Sequence, residues 1–341
     1  MKSLAVKYRP TTFDDVTEQG SIKTILTQQL ETGTHKNAYL FCGGAGTGKT
    51  TCARIFAQEL NKHRGNPIEM DAASNSGVDD VREIIEQAKK KSLDSDYKVF
   101  IIDECHSLTN QGWQAFLKLL EEPPATSIFI FCTTDPQKIP KTILSRVQRY
   151  DFRRISQGGI VSRLCYILDA ENIPKVSGDV EAVEYLAKLA DGGMRDAITL
   201  MDKCLSFSEE LTVENVIHAL GVADYDSMFA LFDSICDNKA DKVIELIESV
   251  YMSGRDLKQY IKAFTDMLLD ICKYNVTKDF KYVQLPSSYE KELKSYSEYE
   301  YIVAHRLLKD MIDLSASIKW ETSPKSVVES SLLLEVNMKW E

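Results

Sequence analysis

The stretch FCGGAGTGKTTCARIF, Phe41–Phe56, decides the fold. Its segment GGAGTGKT, Gly43–Thr50, fits G-x-x-x-x-G-K-[ST], follows the apolar run AYLFC and opens the amphipathic run TTCARIFAQELNK. Strand, glycine-rich loop and helix in that order form a P-loop, which cradles phosphates with backbone N–H groups. Gly43, Gly44, Gly46 and Gly48, with Ala45 and Thr47 between them, let those groups turn inward. Lys49 is expected to reach the β- and γ-phosphates and Thr50 to hold Mg²⁺. Thr51 continues the first helical turn, where the helix dipole adds to the field. A glycine-rich turn without chemistry is the ordinary alternative, and the ordered context argues against it.

Outward from this loop, short apolar runs alternate with amphipathic stretches, the mark of an α/β domain with a largely parallel sheet. AYLFC, PIEMDA, KVFIID, SIFIFCTT and VQRYDF read as strands; TTCARIFAQELNK, VDDVREIIEQAKKK and QGWQAFLKLLEE read as helices. After Phe152 the strand signals stop, and DVEAVEYLAKLA, MRDAITLMDKCLSF and TVENVIHAL show the three-to-four spacing of helical bundles. A break at GVADY, residues 221–225, precedes a third helical region that the polar stretch Asn275 to Tyr296 interrupts. The expected division is 1–154, 155–222 and 223–341.

VFIIDE places Asp103 and Glu104 at the carboxyl end of an apolar strand, where α/β sheets put their ligand groups. Unpaired carboxylates there are costly, so a metal and a water are natural partners. Asp103 is expected on Mg²⁺ and Glu104 as the base that orients the attacking water. Together the two motifs imply nucleoside triphosphate hydrolysis. DECH, Asp103–His106, also matches a motif of a large helicase class, but such helicases carry a second motor domain with an arginine-rich final motif, and none follows residue 155.

The bulk numbers bound the rest. At 341 residues with 44% hydrophobic content, the chain suggests two or three domains. Its eight cysteines are scattered without a C-x-x-C pair, so they read as reduced core residues and no zinc is expected. MKSLAVKYRP lacks the apolar core of a signal peptide, no run suits a membrane helix, and a cytoplasmic location is expected. The net charge of −10 is unevenly spread: Lys plus Arg against Asp plus Glu is 19 to 18 over residues 1–150 and 22 to 33 over residues 151–341. A basic surface in the first half therefore stays open as a nucleic-acid contact.

Five further signals occur in one order: YRP at Tyr8–Pro10, DAASNSGVDDVREI at Asp71–Ile84, LLEEPP at Leu119–Pro124, TTDPQKIPKTILSR at Thr133–Arg146 and GGMRDA at Gly192–Ala197. Over roughly residues 4–220 the chain closely resembles the gamma/tau subunit family of the bacterial DNA polymerase III clamp loader, among the AAA+ ATPases. The resemblance implies a P-loop AAA+ domain with a parallel sheet (1–154), a small helical lid (155–222) and an all-α collar (223–341). It implies ATP and Mg²⁺ as cofactors, a five-subunit ring with other loader subunits, and loading of a sliding clamp on primer–template DNA. The setting would be the cytoplasm of a bacterial or phage-infected cell.

Carried over by resemblance, Thr134 takes a sensor role near the γ-phosphate and Arg195 a second sensor role on the nucleotide of its own subunit. Arg146 resembles an arginine finger given to a neighbour's ATP, although Val147 stands where the family usually has cysteine. Tyr8, Arg9 and Pro10 resemble the segment around adenine and ribose. Candidate DNA contacts are Ser74, Asn75, Ser76, Arg82, Asn110 and Gln111, placed at helix starts where they would follow a strand's phosphates; each could equally be a solvated cap. The family usually carries a four-cysteine zinc module after the P-loop helix, and here only ELNKHRGNPIE, Glu59–Glu69, fills that space. The chain also ends without the family's long tail, so a minimal or phage-encoded version is expected. A non-catalytic ring subunit is one alternative, but the P-loop and sensor residues are intact. A branch-migration helicase is another, and the acidic region after residue 224 is poor material for its winged-helix domain.

Overall fold

The computed structural model describes residues 3–92, 94–173, 179–220, 225–318 and 321–337. They form two compact units, one from residues 1–172 and 190–202, the other from residues 173–189 and 203–341. Of the expected break at 221–225, residues 221–224 lie outside the described residues, and Tyr225 is the first residue of a helix.

The first unit holds a five-stranded parallel sheet of β1 (Ala38–Cys42), β2 (Ile68–Asp71), β3 (Lys98–Asp103), β4 (Ser127–Thr133) and β5 (Gln148–Asp151), ordered β2-β3-β4-β1-β5. Side chains alternate between its faces. Leu40, Phe100, Ile102, Phe129 and Phe131 pack beneath α4 (Val78–Ala88) and α5 (Asn110–Glu121) with Val81, Ile84, Trp113 and Phe116. Tyr39, Phe41, Ile101, Ile130 and Cys132 face α3 (Lys49–Leu60) and α2 (Gly20–Thr32) through Ile55, Phe56 and Leu26. Both sheet faces are covered over the three central strands, which is why β1, β3 and β4 read as near-continuous apolar runs, while the edge strands β2 and β5 carry exposed polar residues. The short helices α1 (Leu4–Lys7) and α6 (Lys141–Leu144) flank this body, and α7 (Gln157–Ala170) follows the sheet.

The second unit is helical: α8 (Asp179–Leu189), α10 (Val213–Leu220), α11 (Tyr225–Cys236), α12 (Ala240–Met252), α13 (Leu257–Thr277), α14 (Glu290–Ser295), α15 (Glu298–Ser317) and α16 (Pro324–Asn337). The helix α9 (Met194–Phe207) begins in the first unit. The core of the second unit runs through Phe232, Ile247, Phe264, Leu268, Leu307 and Met311.

Two regions for which the sequence predicts no element are ordered. The stretch before residue 38 contains a full helix, α2, with Ile22, Leu26 and Gln29 on its buried face. The polar stretch from Asn275 to Tyr296 joins the long helices α13 and α15, and Val283, Leu285 and Leu293 are buried within it. Asp270 Oδ2 accepts from Gln284 N at 2.7 Å and Leu285 N at 3.0 Å, while Lys188 Nζ donates to the carbonyls of Val283 and Leu285 at 3.0 and 3.1 Å. Among the described residues no helix is long and apolar enough to cross a membrane.

Candidate nucleotide site

Because β1 lies beside β4 and β4 beside β3, the P-loop, the residues after β4 and the acidic pair closing β3 meet at the carboxyl ends of the central strands. Gly43 N donates to Thr133 O at 3.2 Å, extending the ladder into the loop. A side chain at Gly43, whose φ is 154°, would lie 2.6 Å from the Phe152 carbonyl oxygen. Gly46, at φ 68°, lets the loop approach Gly193, whose Cα would sit 3.0 Å from an added Cβ. Only glycine fits either position.

Lys49 is 6% exposed, and its ammonium donates to the carbonyls of Gly43 at 2.9 Å and Gly44 at 2.8 Å. Thr50 Oγ1 donates to Asp103 Oδ2 at 2.8 Å, so a hydroxyl and a carboxylate converge beside the loop. Asp103 Oδ1 accepts from Glu104 N at 3.0 Å. Glu104 holds left-handed backbone, at φ 46° and ψ 41°. Such a non-glycine conformation persists only where its surroundings fix it. Thr134 Oγ1 donates to Glu104 Oε2 at 3.0 Å. His106 Nδ1 lies 3.3 Å from the same oxygen and 3.1 Å from Thr133 Oγ1.

A cavity of about 270 Å³ opens over these strand ends, lined by Tyr8, Arg9, Pro10, the loop from Ala45 to Thr51, Asp103, Glu104 and Arg195, among others. The tyrosine segment is braced by Arg163, which donates to Tyr8 O at 2.9 Å and stacks its guanidinium 5.0 Å from the Tyr166 ring centre. Arg163, Val16, Thr17 and Ile198 also line the cavity, and sequence reasoning did not single them out. His106 was visible only as the last letter of DECH. Its neighbours on β4 come from strand order, which no local pattern carries.

The other candidates lie elsewhere. Arg146 does not line the cavity; its guanidinium pairs with Glu121 at 2.8 Å and donates to Thr142 O at 2.7 Å. Ser74 and Asn75 sit in a turn bonded to Asp71, Oγ of the first to its carboxylate at 3.0 Å and Nδ2 of the second to its carbonyl at 3.2 Å. Ser76 and Arg82 flank the start of α4, with Arg82 exposed and 2.9 Å from Asp79. Asn110 and Gln111 are exposed in the first turn of α5, which Thr109 caps by accepting from Gly112 N at 3.1 Å. The two helix starts adjoin, since Thr109 N donates to Ser76 O at 3.5 Å. Burial pushes the thiol of Cys42 up to about 11 and that of Cys52 up to about 12, so these cysteines beside the loop stay protonated packing groups.

Comparison with known proteins agrees along the chain. Residues 66–156 match the family model of the DNA polymerase III delta subunit, residues 159–210 that of the clamp loader subunit ATPase lid domain, and residues 211–309 that of domain III of subunits gamma and tau. The chain is 34% identical over 352 residues to DNA polymerase III subunit tau of Bacillus subtilis, covering 96% of this chain and 62% of that one. It is likewise 34% identical over 273 residues to subunit tau of Escherichia coli, covering 74% of this chain and 42% of that one. It thus spans less than two thirds of the length of these relatives, 62% of the first and 42% of the second. Among solved structures, the RuvB Holliday junction branch migration motor of Thermotoga maritima has a TM-score of 0.52 at 20% identity, over 67% of this chain and 79% of that one. That likeness shows the AAA+ fold alone. The relatives and the domain III match name the lineage: this chain belongs to the gamma/tau subunit family of the DNA polymerase III clamp loader.

Proposed function

We propose that the chain is an ATP-hydrolysing motor subunit of a sliding-clamp loader. The observation that carries this is the constellation of Lys49 and Thr50 at the start of α3 with Asp103, Glu104 and Thr134 at the carboxyl ends of β3 and β4, all within hydrogen-bonding reach of a partner in the set or of the loop. Lys49 exchanges the carbonyls of Gly43 and Gly44 for phosphate oxygens. Thr50 and Asp103 offer hard oxygen donors side by side, the donor type Mg²⁺ prefers, so the residues present fit that ion. Mg²⁺ held there would offset charge on the β- and γ-phosphates. Glu104 accepts the proton of the attacking water, Thr134 orients the carboxylate and senses the γ-phosphate, and Arg195 reaches the same phosphate from the start of α9. Tyr8, Arg9 and Pro10 enclose the base and ribose, and Arg146 serves a neighbour's nucleotide after leaving Glu121.

The same reading gives the chain a place in a five-subunit ring with other loader subunits, in the bacterial cytoplasm, acting on a clamp and primer–template DNA. Residues 1–154, 155–222 and 223–341 are its motor, lid and collar. The adjoining starts of α4 and α5, with Ser74, Asn75, Ser76, Arg82, Asn110 and Gln111, supply the DNA contacts. Hydrolysis measured with loader partners, with and without clamp and primed DNA, tests this. Stimulation by both is expected; a rate indifferent to either would overturn the loader role.

A further inference from the structure

Two consecutive non-glycine residues, Glu18 and Gln19, hold left-handed backbone at φ 57° and 52° just before α2. Side chains in that region persist where specific contacts fix them. Gln19 is 8% exposed. Its Nε2 donates to Arg153 O at 2.7 Å and more loosely to Thr47 O at 3.4 Å, and its Oε1 accepts from Arg153 N at 3.2 Å. The Glu18 carboxylate accepts from the backbone N–H of Ser156, the N-cap of α7, at 3.2 Å, and from its hydroxyl. Gly159 leaves room for this, since a Cβ there would lie 2.7 Å from Glu18 Oε1.

In a planar trans peptide, the C=O of one residue and the N–H of the next point in opposite directions. A Thr47 carbonyl drawn outward to Gln19 therefore turns the Gly48 N–H to the other side. The Gly46 carbonyl, which accepts from Met194 N at 3.0 Å, does the same for the Thr47 N–H. Both Thr47 and Gly48 line the cavity. We infer that Gln19 is a positioning residue for phosphate binding: by holding the Thr47 carbonyl outward it presents the Gly48 N–H to the phosphates, and it anchors the loop to Arg153 beyond β5. The inference rests on the nucleotide reading given above. A carboxylate cannot replace the amide, because it would set lone pairs against two carbonyl oxygens.

The test uses the full chain as wild type, Gln19→Glu and Gln19→Met, the last keeping length and apolar packing. Each is titrated with ATP and ADP in the presence of Mg²⁺, and with adenosine, which has no phosphate. Both variants should bind ATP and ADP roughly tenfold more weakly and adenosine as wild type does. Unchanged ATP and ADP affinity would overturn the inference. So would a parallel loss for adenosine, which would make Gln19 a support of the whole cavity. Should Gln19→Glu fail to fold, Gln19→Met carries the same comparison. A wild type that binds neither ATP nor ADP would instead overturn the nucleotide reading, and the inference with it.

Discussion

Lys49 and Glu104 both line the cavity, and in the proposed function they divide its work: the ammonium would supply charge to the phosphates whether or not reaction occurs, whereas the carboxylate would matter only as water is deprotonated. Lys49→Ala should therefore weaken ATP binding by about 100-fold or more, while Glu104→Gln should bind within a factor of about 3 of wild type yet hydrolyse ~10²–10⁴ times more slowly. Equilibrium binding and single-turnover hydrolysis separate the two; equal loss of affinity in both would contradict the division. Arg146→Ala should leave nucleotide binding by the isolated chain intact and cut clamp- and DNA-stimulated hydrolysis by roughly 10³-fold or more. Its pair with Glu121 is a third exposed on the arginine side, so its removal should cost only about 0–1 kcal/mol of stability. Mixed rings with Lys49→Ala subunits test action between chains: rescue where an intact loop meets an intact arginine is expected. At this scale the sequence was readable wherever chemistry fixes both residue type and spacing, as in the P-loop and the acidic pair. Gln19 and His106 were not readable, because their partners, Arg153 and Thr133, are set by the sheet and not by neighbours in the chain.

The central strands β1, β3 and β4 were legible as elements because burial on both faces leaves almost no polar letter to break the run, whereas the edge strands β2 and β5 mix polar and apolar letters. The helix α2 was not, since it starts after left-handed Gln19 with no side-chain cap, and only three of its residues are buried. The folded segment after α13 was hidden for a related reason. Its apolar anchors Val283 and Leu285 stand among charged and polar residues, and what fixes them is a carboxylate from the preceding helix. Burial pushes that Asp270 carboxyl above its ordinary range, even though Lys273 and two backbone N–H groups favour its charged form. Asp270→Ala would leave those N–H groups unpaired, and a loss of about 3 kcal/mol is expected in denaturant unfolding. The starts of α4 and α5 carry a different consequence. If they follow phosphates, Arg82→Ala should weaken primed DNA evenly across sequences and lower the salt dependence of binding by about one phosphate contact. An unchanged slope would remove Arg82 from the DNA surface.

Across the whole molecule, the charge is close to balanced over residues 1–150 and acidic beyond them. DNA binding should accordingly need bound ATP and the assembled ring, fall steeply with added salt and show little sequence preference. Strong preference for one duplex at fixed salt would point to base readout instead. Elemental analysis of the purified chain should find no stoichiometric zinc, because the segment Glu59–Glu69 has no cysteine to offer. The cavity has a further implication for how the protein is made. Its walls are drawn from positions as far apart as Ala5 and Ile198. Translation delivers the amino-terminal wall first, at roughly 5–20 residues per second. For about ten seconds or more the nascent chain therefore exposes a phosphate loop whose second wall has not yet left the ribosome, so nucleotide can act as a folding ligand only late in synthesis.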